Sequence, residues 1–241
     1  MPRDLGDVLH LFAPELGPDV DPLTARRPLV GIPFARPDAV RSALLWNLAV
    51  EASRQSARTA LVAPGALGGA ALADAGVLGV EAHRVEAGPS MLVQCADEAL
   101  RRLTARGRGL VLAAFPAAWL QKGADVAPLM GWTLVFVRPD ESSLREAAAS
   151  LEAVASQSPQ ARLGVTVYGV RSLLEARDCF EHLALGLERR FGSSLTSYGV
   201  LVDDVHLSRS IVTGRPIALA NAHTPAARAL ADVATLLLGD E

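Results

Sequence analysis

Short apolar runs alternate with longer segments of helical periodicity along most of this 241-residue chain. Runs such as Leu110–Leu112 and Leu134–Val137 are apolar at every position, which is typical of strands that are covered on both faces. Strands that alternate with helices favour a mainly parallel sheet, because right-handed crossovers place the helices on both of its faces. The sequence therefore predicts a three-layer α/β/α fold with a mainly parallel sheet.

Apolar runs and helix-start signals set the boundaries of these elements. Asp38 and Asp204 can each cap a helix, and Thr224-Pro225 has a capping residue followed by the proline that is common at the first helical position. The predicted strands are 28–33, 59–63, 81–85, 109–114, 132–137, 162–168, 195–201 and 216–220. The predicted helices are 38–56, 68–76, 90–106, 116–122, 141–157, 171–191, 204–213 and 225–238.

The chain divides into an N-terminal short helix with a linker, residues 1–27, and one α/β domain, residues 28–241. The apolar positions of the short helix follow an i, i+3, i+4, i+7 pattern and are Leu5, Val8, Leu9 and Phe12. This amphipathic helix could dock in a partner's groove, touch a membrane or pack back on its own domain. Its polar face carries Asp4 and Asp7 instead of the lysines and arginines of membrane-binding helices.

Composition excludes several classes of protein. Half of the residues are apolar and the net charge is −3, so neither disorder nor a specific nucleic-acid partner is indicated. Cys95 and Cys179 lie far apart without a CxxC spacing, and the histidines are scattered, so neither a disulfide nor a metal site is expected. No signal peptide and no transmembrane segment is expected, which favours a cytoplasmic protein.

The stretch from Leu29 to Val50 has the order strand, loop and helix. Nucleotide-binding proteins hold phosphate in this setting, because the first N–H groups of the helix point at the loop. Residues in this stretch and downstream of it resemble a known family. They are Asn47-Leu48-Ala49, Val137-Arg138-Pro139-Asp140 with Ser143 and Ala147, Tyr198-Gly199, Asp204, Ile211, Arg215-Pro216-Ile217, Thr224-Pro225-Ala226-Ala227 and Leu230-Ala231.

In the order and spacing of these residues the chain resembles the MinD/ParA class of P-loop ATPases over roughly residues 28–238. The resemblance is strongest to the branch that controls the number and placement of polar flagella. It implies the same P-loop NTPase-like fold. It also implies that ATP and magnesium would bind at the loop between the first strand and the first helix, if the family's contact residues are retained.

The phosphate loop departs from the family pattern Lys-Gly-Gly-Val-Gly-Lys-Thr-Thr. Counting back from Asn47, the corresponding residues are Arg36-Pro37-Asp38-Ala39-Val40-Arg41-Ser42-Ala43. No glycine remains to let the backbone approach phosphate, and Pro37 has no N–H to offer. Asp38 places a negative charge where phosphate would lie. Arg41 could replace the lysine charge and Ser42 keeps a hydroxyl for magnesium, but neither restores the loop.

Other nucleotide-contacting positions of the family are changed as well. Pro64-Gly65 stands after the second strand, where the family has aspartates for water and metal. Ala113-Ala114-Phe115 ends the fourth strand, where the family has the aspartate that orients magnesium. Tyr168 follows the sixth strand in place of an asparagine for the adenine. Together these changes predict a degenerate relative with no catalytic residue, no metal site and no cofactor.

The resulting interpretation is a non-hydrolysing pseudo-ATPase. It would act as a protein-interaction or regulatory scaffold in a bacterial cell-surface or polar machine, such as a flagellar, secretion or polysaccharide system, and a partner would recruit it there from the cytoplasm. The alternative is a nucleotide-dependent switch ATPase with an atypical phosphate loop. It would use ATP with magnesium and hold them through Arg41 and Ser42.

The nucleotide face is also where the family dimerises. In this chain the face is expected to pair with a protein partner, which could be a second copy or an active paralogue. Phe34, Val40 and Trp46 are expected on or near it, where an exposed apolar patch would mark an interface. Arg36 falls at the family's signature lysine, so it could reach a partner's nucleotide in trans like an arginine finger. The simpler interpretation is an ordinary surface arginine beside the loop.

Overall fold

A computed structural model of the chain describes residues 28–55, 57–65, 76, 78–105 and 107–240. Its strands are β1 Leu29–Phe34, β2 Arg58–Pro64, β3 Val80–Val85, β4 Gly109–Pro116, β5 Trp132–Val137, β6 Arg162–Val170 and β7 Leu195–Val202. They form one seven-stranded sheet in the order β3-β2-β4-β1-β5-β6-β7, and every pairing is parallel. The predicted parallel sheet is confirmed.

Helices cover both faces of this sheet. The α-helices are α1 Ala39–Arg54, α2 Pro89–Thr104, α3 Ala127–Met130, α4 Glu141–Gln157, α5 Leu173–Phe191, α6 Val205–Thr213, α7 Ile217–Ala220 and α8 Pro225–Gly239. A 3-10 segment, Ala117–Val126, precedes α3. One apolar cluster packs α1, α6, α7 and α8 on one face, and a second packs α2, α4 and α5 on the other. The predicted three-layer α/β/α fold is thereby confirmed.

Two predicted elements differ from the structure. The strand predicted at 216–220 is wrong, because Ile217–Ala220 is the short helix α7. A short apolar run does not distinguish strand from helix, and here the N–H of Ile217 donates to Oδ1 of Asn47 at 2.7 Å. The helix predicted at 116–122 is the 3-10 segment. The helix predicted at 68–76 and all of residues 1–27 lie outside the described residues, apart from residue 76.

Helix α1 is fixed to its neighbours by polar side chains within an apolar interface. The side-chain nitrogen of Asn47 donates to the carbonyl of Ala43 at 2.7 Å, and its side-chain oxygen accepts from the N–H of Ile217 in α7. Both polar atoms of the amide therefore have partners. At the other end of α1, Gln55 donates to the carbonyl of Ala231 in α8 at 2.8 Å. The Asn-Leu-Ala stretch therefore has a structural role in joining α1 to the C-terminal helices.

The sheet order places a crevice at the carboxyl end of β1. Within the sheet, strands β4, β2 and β3 lie to one side of β1, and strands β5, β6 and β7 lie to the other side of β1. Ligands of parallel α/β sheets bind at such a reversal of strand order. Gly31 lets α3 approach the middle of β1, because an added Cβ would lie 1.9 Å from the carbonyl oxygen of Leu129.

Candidate functional site

The loop between β1 and α1 ends in a carboxylate that caps the helix. Asp38 is the N-cap residue, and its backbone is extended. Its Oδ1 accepts from the N–H groups of Val40 at 2.8 Å and of Arg41 at 3.0 Å. The first N–H groups of a helix are the groups that bind phosphate when this position holds a nucleotide. In this chain two of them already bind an anion that the chain itself supplies.

Arg41, in the first turn of α1, extends across the crevice to two other elements. Its Nη2 donates to Oγ of Ser143 at 3.0 Å, its Nη1 donates to Oε2 of Glu146 at 3.1 Å, and its Nε lies 3.4 Å from the hydroxyl of Tyr168. The Nε also lies 3.6 Å from Oδ2 of Asp38. With 7% exposure, the residue is buried and all three guanidinium nitrogens have partners.

We call these five residues, Asp38, Arg41, Ser143, Glu146 and Tyr168, the Arg41 cluster. Burial alone lowers the pKa of Arg41, but its bonds to Tyr168 and Glu146 and the charge of Asp38 outweigh that effect and raise the pKa. Burial is the main reason that the pKa of Tyr168 is raised, although Arg41 opposes the rise. The cluster therefore keeps a charged guanidinium and a protonated phenol.

Helix α4 holds its part of the cluster through its own cap. Asp140 is the N-cap residue, and its Oδ1 accepts from the N–H of Ser143 at 2.9 Å. Oγ of Ser143 also accepts from the N–H of Arg138 at 2.9 Å, so its position is set by the β5–α4 loop. Arg41 consequently joins two capped helix starts, those of α1 and α4, across the carboxyl end of the sheet.

A cavity of about 10 Å³ lies beside the cluster. Its lining residues include Pro33, Arg41, Phe136, Glu146 and Ser150. This volume has room for about one water molecule, whereas small-molecule sites span roughly 300 to 1,000 Å³. The arrangement binds elements of the chain to one another, and the cavity beside it is much smaller than a nucleotide.

The fold itself has known relatives. No family model matches the sequence, and no curated protein matches it. Among solved structures, MinD of Aquifex aeolicus has a TM-score of 0.65 at 15% identity and covers 88% of this chain and 98% of its own. The MinC:MinD complex of the same organism gives 0.62 at 14% identity, with 88% and 96% covered. A ParA family ATPase of Chlorobium tepidum gives 0.58 at 15% identity, with 87% and 98% covered. The chain has the fold of the MinD/ParA ATPases.

Two of the predicted interaction residues are buried in the core. Phe34 is 2% exposed and Trp46 is 3% exposed, and both belong to the core cluster beneath α1. They do not form an exposed apolar patch on the MinD/ParA nucleotide face, because the apolar side of α1 packs onto the sheet. Val40 is partly buried against the same cluster. Leu5, Val8, Leu9 and Phe12 lie outside the described residues.

The loop residues singled out in the sequence do come together. The side chain of Arg36 is 68% exposed and lies 3.5 Å from Oε1 of Glu146, which also binds Arg41. Ser42 is half-buried in the first turn of α1. Of the cluster, Asp38 and Arg41 were singled out as loop residues and Tyr168 as a departure from the family. Glu146 was missed, because it is one polar residue on an ordinary amphipathic helix.

The ends of β4 and β2 differ in whether a carboxylate lies at them. Phe115 near the end of β4 is fully buried, and the strand from Gly109 to Pro116 contains no carboxylate. At the end of β2, the carboxylate of Glu86 lies against Gly65. Among the described residues no three His, Cys, Asp or Glu side chains come together as metal ligands. No helix in the described ranges is long and apolar enough to cross a membrane.

Proposed function

We propose that this chain is a non-hydrolysing MinD/ParA-like protein that acts as a protein-interaction or regulatory scaffold. The observation that carries the proposal is the Arg41 cluster, in which the chain's own Asp38 carboxylate binds the helix N–H groups. Arg41 is the residue best placed to receive a phosphate, and its donors are directed to Tyr168, Ser143 and Glu146 instead.

The charges around the α1 start oppose nucleotide binding. A phosphate that approached the N–H groups of Val40 and Arg41 would meet the Asp38 carboxylate, which is bound to both of them. Two like charges 4 Å apart repel by about 4 kcal/mol at an effective dielectric constant near 20. Displacing Asp38 would avoid this repulsion but would cost the cap of α1, which contributes about 1 kcal/mol. Either cost reduces the free energy available for nucleotide binding.

The fold and the resemblance support a protein as the partner. A structural neighbour, MinD of Aquifex aeolicus, has been solved in complex with MinC, and we infer a protein partner for this chain as well, either another protein, a second copy or an active paralogue. The resemblance to regulators of polar flagella favours a bacterial cell-surface or polar machine, and secretion and polysaccharide systems are further candidates. The protein would reach such a machine from the cytoplasm through its partner.

Calorimetric titration of the purified full-length protein with Mg·ATP and with Mg·ADP tests the proposal. We expect no saturable heat up to millimolar nucleotide. Saturable binding at micromolar concentrations would contradict the proposal and would support the alternative switch ATPase that uses Arg41 and Ser42. A hydrolysis assay on the same samples would then separate a switch that turns over from one that only binds.

A second experiment addresses the partner. Arg36 carries the exposed charged side chain of the loop that follows β1, so we expect Arg36→Glu to reduce co-purification of the partner from the native host. Arg58→Glu is the matched control, because Arg58 is exposed at the opposite, amino end of the sheet. Equal loss in both variants, or loss in neither, would argue against an interface at the carboxyl end.

A further inference from the structure

Helix α6 carries an apolar stripe on its solvent side. Val205 is 75% exposed and Val212 is 86% exposed, and residues seven positions apart lie on the same side of a helix. Arg209 lies between them on that side, four residues after the first valine and three before the second. We call Val205, Arg209 and Val212 the α6 stripe. The other side of α6 already packs into the core through Leu207.

Exposed valines do nothing for the stability of α6 itself. Valine is a weaker helix former than alanine, leucine or arginine, because its β-branch restricts χ1 against the preceding turn. Single exposed apolar residues are common on protein surfaces. Here, however, the short helix α7 contacts α6 and adds the exposed Leu219. Three exposed apolar side chains therefore lie on two helices that contact each other.

Arg209 gives the stripe itself a positive charge, and no carboxylate of a described residue lies within ion-pair distance of its guanidinium group. The exposed Arg215 and Arg228 nearby are balanced by the exposed Asp203 and Asp232. Asp204, at the start of α6, uses its carboxylate to cap the helix by accepting from His206 at 2.7 Å. The ligand that fits is therefore apolar along one side and acidic beside it.

We propose that residues 4–12 of the same chain dock on the α6 stripe. Their apolar positions repeat at helical spacing, and Asp4, one position before Leu5 and four before Val8, borders them. The stretch from Met1 to Pro22 contains five acidic side chains and one arginine. It therefore complements the stripe both in apolar character and in the sign of its charge.

The connection is long enough for this docking. Residues 13–27 separate the segment from Pro28, and fifteen residues span up to about 50 Å when extended. The six residues of β1 run for about 20 Å from the amino to the carboxyl end of the sheet. β7 lies three strand spacings to the side of β1 in the sheet, which is about 15 Å. The tether therefore reaches α6 with length to spare.

Because residues 4–12 are connected to the domain by the same chain, a weak contact is sufficient to keep them docked. A short flexible linker holds its two ends at an effective concentration of about 1 mM. A contact with a dissociation constant of about 0.1 mM would then be occupied roughly nine-tenths of the time. This docking does not involve the Arg41 cluster, so it stands or falls independently of the function proposed above.

Hydrogen–deuterium exchange of the full-length protein, with its monomeric state checked by light scattering, tests the proposal. We expect amides of residues 4–12 to exchange about tenfold more slowly than in a free peptide of the same sequence. Val212→Asp adds a carboxylate to the stripe, and we expect it to bring that segment to the free-peptide rate. Leu185→Asp is the control, because Leu185 is also exposed but lies on α5, on the opposite face of the sheet.

Charge reversal sharpens the test. Arg209→Glu should speed exchange in residues 4–12, and Arg209→Glu combined with Asp4→Arg should restore part of the protection, because Asp4 borders the apolar positions of the segment. The proposal is overturned if the segment exchanges at the free-peptide rate in the unmodified protein, or if Val212→Asp and Leu185→Asp change it equally. Protection that appears only in a dimeric fraction would also overturn it, because the segment would then dock on a second copy.

Discussion

Two arginine-centred clusters lie at opposite ends of the sheet, and they are built alike. At the carboxyl end is the Arg41 cluster. At the amino end, Arg162 binds Asp240 at 3.1 Å and its guanidinium carbon lies 4.7 Å from the ring centre of Trp132. Tyr198 donates to the same Asp240 at 2.7 Å and accepts from the indole of Trp132 at 3.1 Å. We call these four residues the Arg162 cluster.

The amino end of a parallel sheet is where structural contacts are expected, and the carboxyl end is where ligands bind. The Arg162 cluster attaches the end of α8 to β5, β6 and β7. The Arg41 cluster likewise attaches α1 to α4 and β6, although it lies at the ligand-binding end. In nucleotide-binding proteins of this architecture, this position holds phosphate. In this chain, the side chains at this position connect two helices and a strand.

The largest effect is expected for Arg41→Met. It would leave Glu146, Ser143 and Tyr168 without their buried donor, and breaking a buried ion pair costs about 3 kcal/mol or more. Arg162→Met should cost less, about 1 kcal/mol, because the Arg162 side chain is 35% exposed against 9% for Arg41. Urea denaturation of both variants measures the difference. Equal losses of unfolding free energy in the two variants would show that burial does not determine how much each cluster contributes to stability.

Removing the cap of α1 should have the next largest effect. Asp38→Ala loses two hydrogen bonds to backbone N–H groups and should destabilise the protein by about 1 to 2 kcal/mol. Asp38→Asn keeps a capping oxygen, so thermal denaturation should place it between Asp38→Ala and the unmodified protein. A fully stable Asp38→Ala variant would show that the carboxylate is not needed at the helix start.

The two tyrosines predict how stability depends on alkaline pH. Burial is the first cause of the raised pKa in both Tyr168 and Tyr198, and Asp240 adds to it in Tyr198. A raised pKa in the folded state means that the folded protein holds the phenolic proton more tightly than the unfolded chain does. This stabilisation is complete below the unfolded value of about 10 and is lost as the pH rises through the folded-state value.

Stability falls at alkaline pH, and Tyr198→Phe should therefore reduce this fall by more than Tyr168→Phe does. Denaturant midpoints between pH 8 and pH 11 provide the measurement. If the two variants follow the unmodified protein at every pH, the phenol groups are not linked to folding.

The smallest effect is expected for Arg36→Ala. Its side chain is largely exposed and its pairing with Glu146 spans 3.5 Å, and exposed ion pairs contribute about 0.5 kcal/mol or less. A loss above 1 kcal/mol in urea denaturation would show that Arg36 is part of the cluster instead of its exposed rim. Such a result would also weaken Arg36 as a candidate contact for a partner.

Much of the fold could be predicted from the sequence because its signals are local. Strands such as β4 and β5 are apolar at consecutive positions, and Asp38, Asp204 and Thr224 each cap the helix that they were expected to cap. The helix α7 was missed because its four residues are too few to show a period. Its start depends on Asn47, which lies 170 positions away along the chain.

The candidate site was harder to predict, since its contacts are remote in sequence. Arg41 meets Glu146 across 105 positions and Tyr168 across 127, and no local pattern signals either pairing. Phe34 is expected on or near the nucleotide face but is buried in the core. Whether such a side chain points outwards or into the core depends on how the following helix packs, and here α1 covers it.

The proposed function requires that Asp38 binds the helix N–H groups that would otherwise bind a nucleotide, and that Arg41 binds other side chains. The amide NMR signals of Val40 and Arg41, recorded while Mg·ATP is added to millimolar concentration, test this requirement. We expect that neither signal shifts and that both amides keep their hydrogen bonds to Asp38. Saturable shifts of these two signals at micromolar nucleotide would contradict the proposal.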